Sequence, residues 1–394
     1  MNSSTPAQRT TLNKPSLHKP ALYRHFHRIA WLAVALASCV IVFGAFVRLS
    51  DAGLSCPDWP TCYGKAAWPT HAAQIVDHAA TDIRPVEPSK AWREQFHRHI
   101  AAGLGLLVFA LALLAARRRR FGLAQVVGAA ALVAVAIPLY MQGEYVTSSV
   151  LVAIAEAVLL WAALRWSNFD LARTAVLTLA VIIFQAMLGM WTVTWLLKPA
   201  VVMAHLLGGL TTFSLLAWMA WRATDIPIRV GDAGRLRRLL VVGLVLLGVQ
   251  IALGGWTSAN YAALACGTDY PKCAGEWWPA RDFREGFVLW RGIGVDYEGG
   301  ILDNQARIAI QLAHRMVAIL VTGHLLVLAL RLLRSPGLRG WGGLLGILLV
   351  AQVALGIANV VMSLPLHVAT AHNAGATALL FVLVTLLARV RAPD

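Results

Sequence analysis

Apolar residues recur along this chain as long unbroken runs, not at the short spacings of a half-buried strand or an amphipathic surface helix. A helix needs about 20 residues to cross roughly 30 Å of hydrocarbon. Runs of that length lie near 29–49, 97–116, 121–140, 147–165, 172–196, 200–221, 235–256, 306–332, 340–362 and 366–390. The pattern predicts an all-α polytopic membrane protein with ten transmembrane helices. Composition agrees, since 58% of the 394 residues are hydrophobic and only 13% are charged, unlike a soluble domain.

Charge then sets an expected orientation, because short cytoplasmic loops gather lysine and arginine. Basic residues precede the first span (Arg24, Arg28) and follow the second (Arg117 to Arg120), fourth (Arg165, Arg173), sixth (Arg222 to Arg238), eighth (Arg331, Arg334, Arg339) and tenth (Arg389, Arg391). Acids such as Asp51, Asp58, Glu144, Asp269 and Glu276 fill the alternate loops. Both termini are therefore expected in the cytoplasm. The net charge of +15 is split among separate short loops, so it forms no stripe for nucleic acid. Residues 1–28 read as a cytoplasmic tail; their lack of acids is shared with mitochondrial transit segments. Leu36-Ala37-Ser38-Cys39 has the form of a lipoprotein box, but it lies inside the first span, so Cys39 reads as membrane-buried.

The two halves repeat. FQAMLG at 184–189 matches AQVALG at 351–356, and each is followed by a short turn and a helix bearing His205 or His372. The loop Cys56-Pro-Asp58-Trp59-Pro60-Thr-Cys62 matches Cys266-Gly-Thr-Asp269-Tyr270-Pro271-Lys-Cys273. Both copies start on the same side, so the repeat is parallel. His97 and His205 are 108 positions apart, whereas His314 and His372 are 58 apart; the surplus is the stretch 117–170, an inserted helical hairpin. The expected organisation is two pseudo-symmetric four-helix bundles, at 29–221 (including the hairpin) and 235–394, joined by a cytoplasmic linker at 222–234. Glu156 is the ionisable residue well inside a hairpin span and reads as a hydrogen-bonding group, with a functional role as the alternative.

Four histidines occupy matching places: His97 in EQFHR and His314 in QLAHR, His205 in VVMAHLLGG and His372 in VATAHNAGA. Strongly coordinating side chains in membrane helices are costly without a partner. Two opposed imidazoles from facing helices satisfy both axial positions of a heme iron, so four at similar depth suggest two hemes. Zinc fits less well, because its sites favour three or four ligands at short spacing with cysteine or carboxylate. His99, His324 and His367 have no place in this pattern. Arg98 and Arg315 follow the ligand candidates and Arg48 ends the first span; guanidinium suits heme propionates, and snorkelling is the alternative for Arg48. Glu94 lies one turn before His97 where the second copy has Gln311, as expected if the first copy performs chemistry and the second passes electrons. A solvated acid near a helix start is the other reading. Cys56 with Cys62, and Cys266 with Cys273, are spaced to close small rings, whether for structure or for redox exchange.

Taken together, GAFVRLSDAGLSCPDWPTCYG, the Glu94-x-x-His97-Arg98 motif, LGMWTV before His205, the AHR around His314 and the final AHNAGA resemble the heme A synthase family over about residues 29–390, apart from the hairpin. The resemblance implies an eight-helix core and oxidation of the heme O methyl group to the formyl group of heme A. It implies His97 and His205 around substrate heme O, Glu94 as the functional carboxylate, and heme b at His314 and His372. A bacterial cytoplasmic membrane setting follows, with the sites toward the periplasm and with heme O synthase and an electron donor as partners. A diheme electron carrier and a heme-handling assembly protein without catalysis are the competing classes.

Overall fold

The computed structural model describes residues 22–75 and 85–393. Residues 1–21, with most of the expected tail and the transit-like composition, and Asp77, His78 and Asp82 lie outside the described residues.

Among the described residues, ten helices are long and apolar enough to cross a membrane. They are α1 (Leu22–Leu49), α2 (Pro88–Ala116), α3 (Gly122–Met141), α4 (Tyr145–Arg165), α5 (Ala172–Thr194), α6 (Pro199–Thr224), α7 (Ala233–Ala259), α9 (Asn304–Arg334), α10 (Arg339–Val361) and α11 (Leu366–Arg389), with a one-turn α8 (Phe283–Gly286) in a loop. Proline opens α2 and α6, at a position where its missing N–H is no loss. Asp303 caps α9 by accepting from the Ala306 N–H at 2.8 Å, which satisfies one orphan donor of the first turn. Several helices begin or end outside the apolar runs; α2 starts at Pro88, so the polar segment Lys90–Arg98 is helical.

The helices group by packing. In the first half, α1 packs on α2, α2 on α5, α5 on α6 and α6 on α1. In the second, α7 packs on α9, α9 on α10, α10 on α11 and α11 on α7. Helix α6 meets α7 and α11 across the seam. There Trp31 stacks edge-on with Trp221 at 4.7 Å, and the Trp221 indole N–H donates to the Thr385 hydroxyl at 2.8 Å. A two-residue parallel pairing of Ile228–Arg229 with Val390–Arg391 closes the same end. The hairpin α3–α4 lies against the first bundle, α3 on α2 and α4 on α5.

Packing is uneven along the helices. The large apolar core, which includes Ala33, Val108, Val176, Leu216, Leu325 and Leu383, fills the end that carries the basic loops. The other half of each bundle is hollow. A single cavity of about 2060 Å³ runs through both bundles there, beneath the loops that hold the four paired cysteines.

Candidate functional site

The cavity wall contains all four predicted histidines. His97 stands on α2 and His205 on α6, which are diagonal in the first bundle; His314 on α9 and His372 on α11 are diagonal in the second. Both rings of each pair border the same cavity. Each ring lies against a glycine of the neighbouring helix. A Cβ built on Gly44 would meet His97 Cε1 at 2.7 Å, on Gly189 His205 Cε1 at 3.1 Å, on Gly254 His314 Cε1 at 3.2 Å, and on Gly356 His372 Cε1 at 3.0 Å. Four separate glycines thus make room for four imidazoles.

One turn from three of these glycines stands a glutamine. Gln185 Nε2 lies 2.9 Å from His205 Nδ1 and donates to the His205 carbonyl at 2.5 Å. Gln250 Nε2 lies 3.1 Å from His314 Nδ1, and Gln352 Nε2 lies 3.5 Å from the His372 ring. Each glutamine amide thus contacts an imidazole ring and restricts its orientation. The fourth glutamine position is Val40, and His97 Nδ1, like His372 Nδ1, is buried without a hydrogen-bond partner among the described residues.

Sequence reasoning missed the third glutamine and all four glycine contacts. The signal was present: Gln-x-x-Leu-Gly recurs at 185, 250 and 352, and Gly44 and Gly254 each precede the first loop cysteine by twelve residues. What a sequence does not display is which helix face meets which.

Disulfides join Cys56 to Cys62 and Cys266 to Cys273. The two loops are built alike. Each has a cis peptide before proline, at Pro60 and Pro271, and each is fastened by the arginine that follows a cavity histidine. Arg98 Nη1 donates to the carbonyls of Asp58 and Thr61 at 2.8 and 2.7 Å; Arg315 donates to those of Lys272 and Asp269 at 2.9 and 3.1 Å. Arg98 and Arg315 border the cavity, yet most of their donors are engaged with the loops. Arg48 bridges the halves, donating to the Ser258 carbonyl at 2.9 Å and the Tyr261 hydroxyl at 3.2 Å.

Glu94 distinguishes the copies. Its carboxylate is 4% exposed, with Oε2 accepting from the Ser55 and Cys56 N–H groups at 2.7 and 2.8 Å and Oε1 accepting from Arg98 at 2.5 Å. Three donors fix its orientation. Gln311, also 4% exposed, leaves its Oε1 without a partner among the described residues. Nearby, burial and the Glu94 and Asp58 carboxylates push the Tyr63 phenol above its ordinary pKa.

The remaining candidates fall outside the histidine pairs. His99 and His324 bond to the carbonyls of Ala66 and Leu239, each at 3.0 Å. Cys39 is exposed on α1, within the span. Glu156 lies on α4 against the Phe184 backbone, with one carboxyl oxygen buried and unpartnered among the described residues. Lys198, in the turn before α6, is 1% exposed, with its ammonium 3.3 Å from the Trp290 ring centroid and no hydrogen-bond partner among the described residues. Among those residues no cluster of three histidine, cysteine or acidic side chains could hold a bare metal ion; a porphyrin iron needs only two axial ligands.

The chain matches the COX15-CtaA family, described as cytochrome oxidase assembly protein, over residues 27–144 and 141–384. A heme A synthase of Shewanella oneidensis is 40% identical over 366 residues, 91% of this chain and 96% of that protein. One from Rhizorhabdus wittichii is 26% identical over 370 residues, 89% of each chain. One from Paracoccus denitrificans is 34% identical over 189 residues, 45% of each.

Proposed function

The chain belongs to the COX15-CtaA family of cytochrome oxidase assembly proteins, the family of the heme A synthases, and we propose that it oxidises a methyl group of heme O to a formyl group, giving heme A. A role in heme A biosynthesis as a multi-pass bacterial membrane protein follows from the family and the ten spans. The observation that carries the finer reading is the asymmetric duplication: two glycine-cradled imidazole pairs border one cavity, and a fixed carboxylate accompanies only the first.

The residues fit two porphyrins. Each pair of rings stands on diagonal helices, and each ring fills a recess that a Cβ would close. We assign His97 and His205 to the substrate heme O, and His314 and His372 to a resident heme b. When bound, that resident heme supplies one-electron redox chemistry. Gln250 and Gln352 hold its imidazoles in register. Arg98 and Arg315 secure the roof over each site, and both, with Arg48 beside Tyr261 and Ser258, border the cavity as candidate propionate partners.

Converting the methyl group to a formyl group takes one oxygen atom from water and releases four protons and four electrons, the electrons leaving to an external one-electron acceptor; the carbon passes through an alcohol to a hydrated aldehyde, which loses water. Positive charge develops at the reacting carbon as electrons leave it. Glu94 answers that charge from a preset position, because its oxygens are already held by Ser55, Cys56 and Arg98; such preorganisation is what makes a buried carboxylate effective. The packed core seals the basic-loop end, so water reaches the carbon only from the disulfide-loop end.

The test is expression beside a heme O source, followed by pigment extraction and mass spectrometry. Heme A from the wild type supports the reading; recovery of unaltered heme O alone favours a carrier or assembly protein. Glu94→Gln should lower conversion by about 100-fold or more while heme b stays bound. Full activity in that variant removes Glu94 from the mechanism.

A further inference from the structure

The hairpin α3–α4 has no counterpart in the second copy, and its position gives it a task. It covers the cleft between α2 and α5, and the cavity does not end at that cleft. Beside His97 and His205, the cavity is bordered by Ala101, Ala102 and Gly105 of α2 and Ile182 and Ala186 of α5. Beyond them its wall continues onto Val133, Ala136 and Ile137 of α3 and Ser149 and Val152 of α4. The hairpin is thus part of the site's lining as well as its outer cover.

The second copy supplies an internal control. Counting from the paired histidines and glutamines, Ala102, Gly105 and Ala186 correspond to Ile319, Thr322 and Val353. Those residues also border the cavity, but each is larger, so the cleft between α9 and α10 is narrower. Beyond it lies the bilayer: Ile319 is 72% exposed and Val350 on α10 is 71% exposed. The first cleft is lined by small residues and leads into protein, whereas the second is lined by larger ones and faces lipid.

Heme O and heme b differ mainly by one substituent, a long isoprenoid side chain on heme O where heme b carries a vinyl group. A porphyrin held between His97 and His205 needs an apolar exit for such a chain, and the second site needs none. We propose that the annex bounded by α2, α5 and the hairpin α3–α4 is a binding subsite for the isoprenoid side chain of the substrate porphyrin. The subsite rests on the assignment of substrate to the first bundle. Ala102, Gly105 and Ala186 form its gate, and Val133, Ala136, Ile137 and Val152 form its far wall. Without a hairpin the chain would emerge into lipid; with it, chain length and shape are read by protein contacts. The selection is hydrophobic burial, which grows with each methylene enclosed.

Two sets of variants test this in the full-length protein with heme b already loaded at the second site. Ala102→Ile with Gly105→Thr and Ala186→Val narrows the gate with residues that the other bundle already accommodates. Val152→Trp blocks the annex from its far wall. Heme O and heme b are each titrated into the vacated first site and followed by absorbance. The expected result is a loss of heme O affinity of about tenfold or more, with heme b affinity at that site unchanged. The heme b signal of the second site reports that the variants are folded. Equal weakening of both porphyrins in both variants, or unchanged heme O affinity in both, overturns the subsite. A wild type that converts heme O while the variants keep full heme O affinity leaves the proposed function standing and removes only the subsite. A wild type that discriminates by side chain yet yields no heme A does the reverse.

Discussion

Each imidazole in the cavity exists at the expense of a side chain on the neighbouring helix. Glycine at 44, 189, 254 and 356 costs helix stability, about 1 kcal/mol relative to alanine in a helix interior, so four of them facing four histidines mark a requirement for space. The tightest contact is at Gly44, where an added Cβ would lie 2.7 Å from His97; at Gly254 the corresponding distance is 3.2 Å. His97 also lacks the glutamine that steadies the other three rings, since Val40 holds that position. Gly44→Ala should therefore displace its ring more than Gly254→Ala displaces His314. The expected outcome is loss of first-site heme by about tenfold in Gly44→Ala, with a smaller loss of second-site heme in Gly254→Ala. Heme content per purified protein, measured site by site from the absorbance spectrum, checks this; an equal loss in the two variants would contradict it.

At the scale of elements, the disulfide loops serve as roofs built to one plan. Each is closed by a short covalent ring and tied by an arginine from the helix beneath. The first loop has an extra duty, because the N–H groups of Ser55 and Cys56 hold Glu94. Replacing Cys56 and Cys62 together by serine should cost at most about 2–3 kcal/mol of stability on the chain-entropy model, but should reduce conversion further than that loss explains. The same change at Cys266 and Cys273 should loosen heme b and leave Glu94 oriented. Thermal melts followed at the heme absorbance, alongside heme A yield, separate the two effects. Unaltered yield in the first double variant would detach the loop from the orientation of Glu94.

The elements were legible in the sequence because hydrocarbon thickness imposes a length and water imposes a composition; all ten spans coincide with apolar runs. Their ends were less legible. The α2 start at Pro88 lies nine residues before the apolar run because Lys90, Arg93 and Glu94 extend the helix beyond any hydropathy signal. The histidine pairs were legible through the repeat, since duplication places equivalent residues on equivalent helices. The glycine cradle, the third glutamine and the continuity of the cavity with the hairpin depend on packing between helices, which periodicity along one helix does not encode.

For the whole molecule, the division between a packed end and a hollow end implies a direction across the membrane. Basic residues cluster in the loops at the packed end, and the disulfides lie at the hollow end. Positive charge is retained in the cytoplasm, and disulfides persist in an oxidising compartment; two independent rules thus support the same proposed orientation, with both termini inside and the proposed porphyrin sites toward the periplasm. Exposed positions on either side of the hairpin offer a direct reading, because Arg118 follows α2 at the packed end and Glu144 joins α3 to α4 at the hollow end. In a Cys39→Ser background, Glu144→Cys should react with a membrane-impermeant maleimide in intact spheroplasts. Arg118→Cys should react only after the membrane is opened. Labelling in the opposite sense would invert the chain, place the sites toward the cytoplasm, and remove the oxidising compartment as the reason the cysteines are paired.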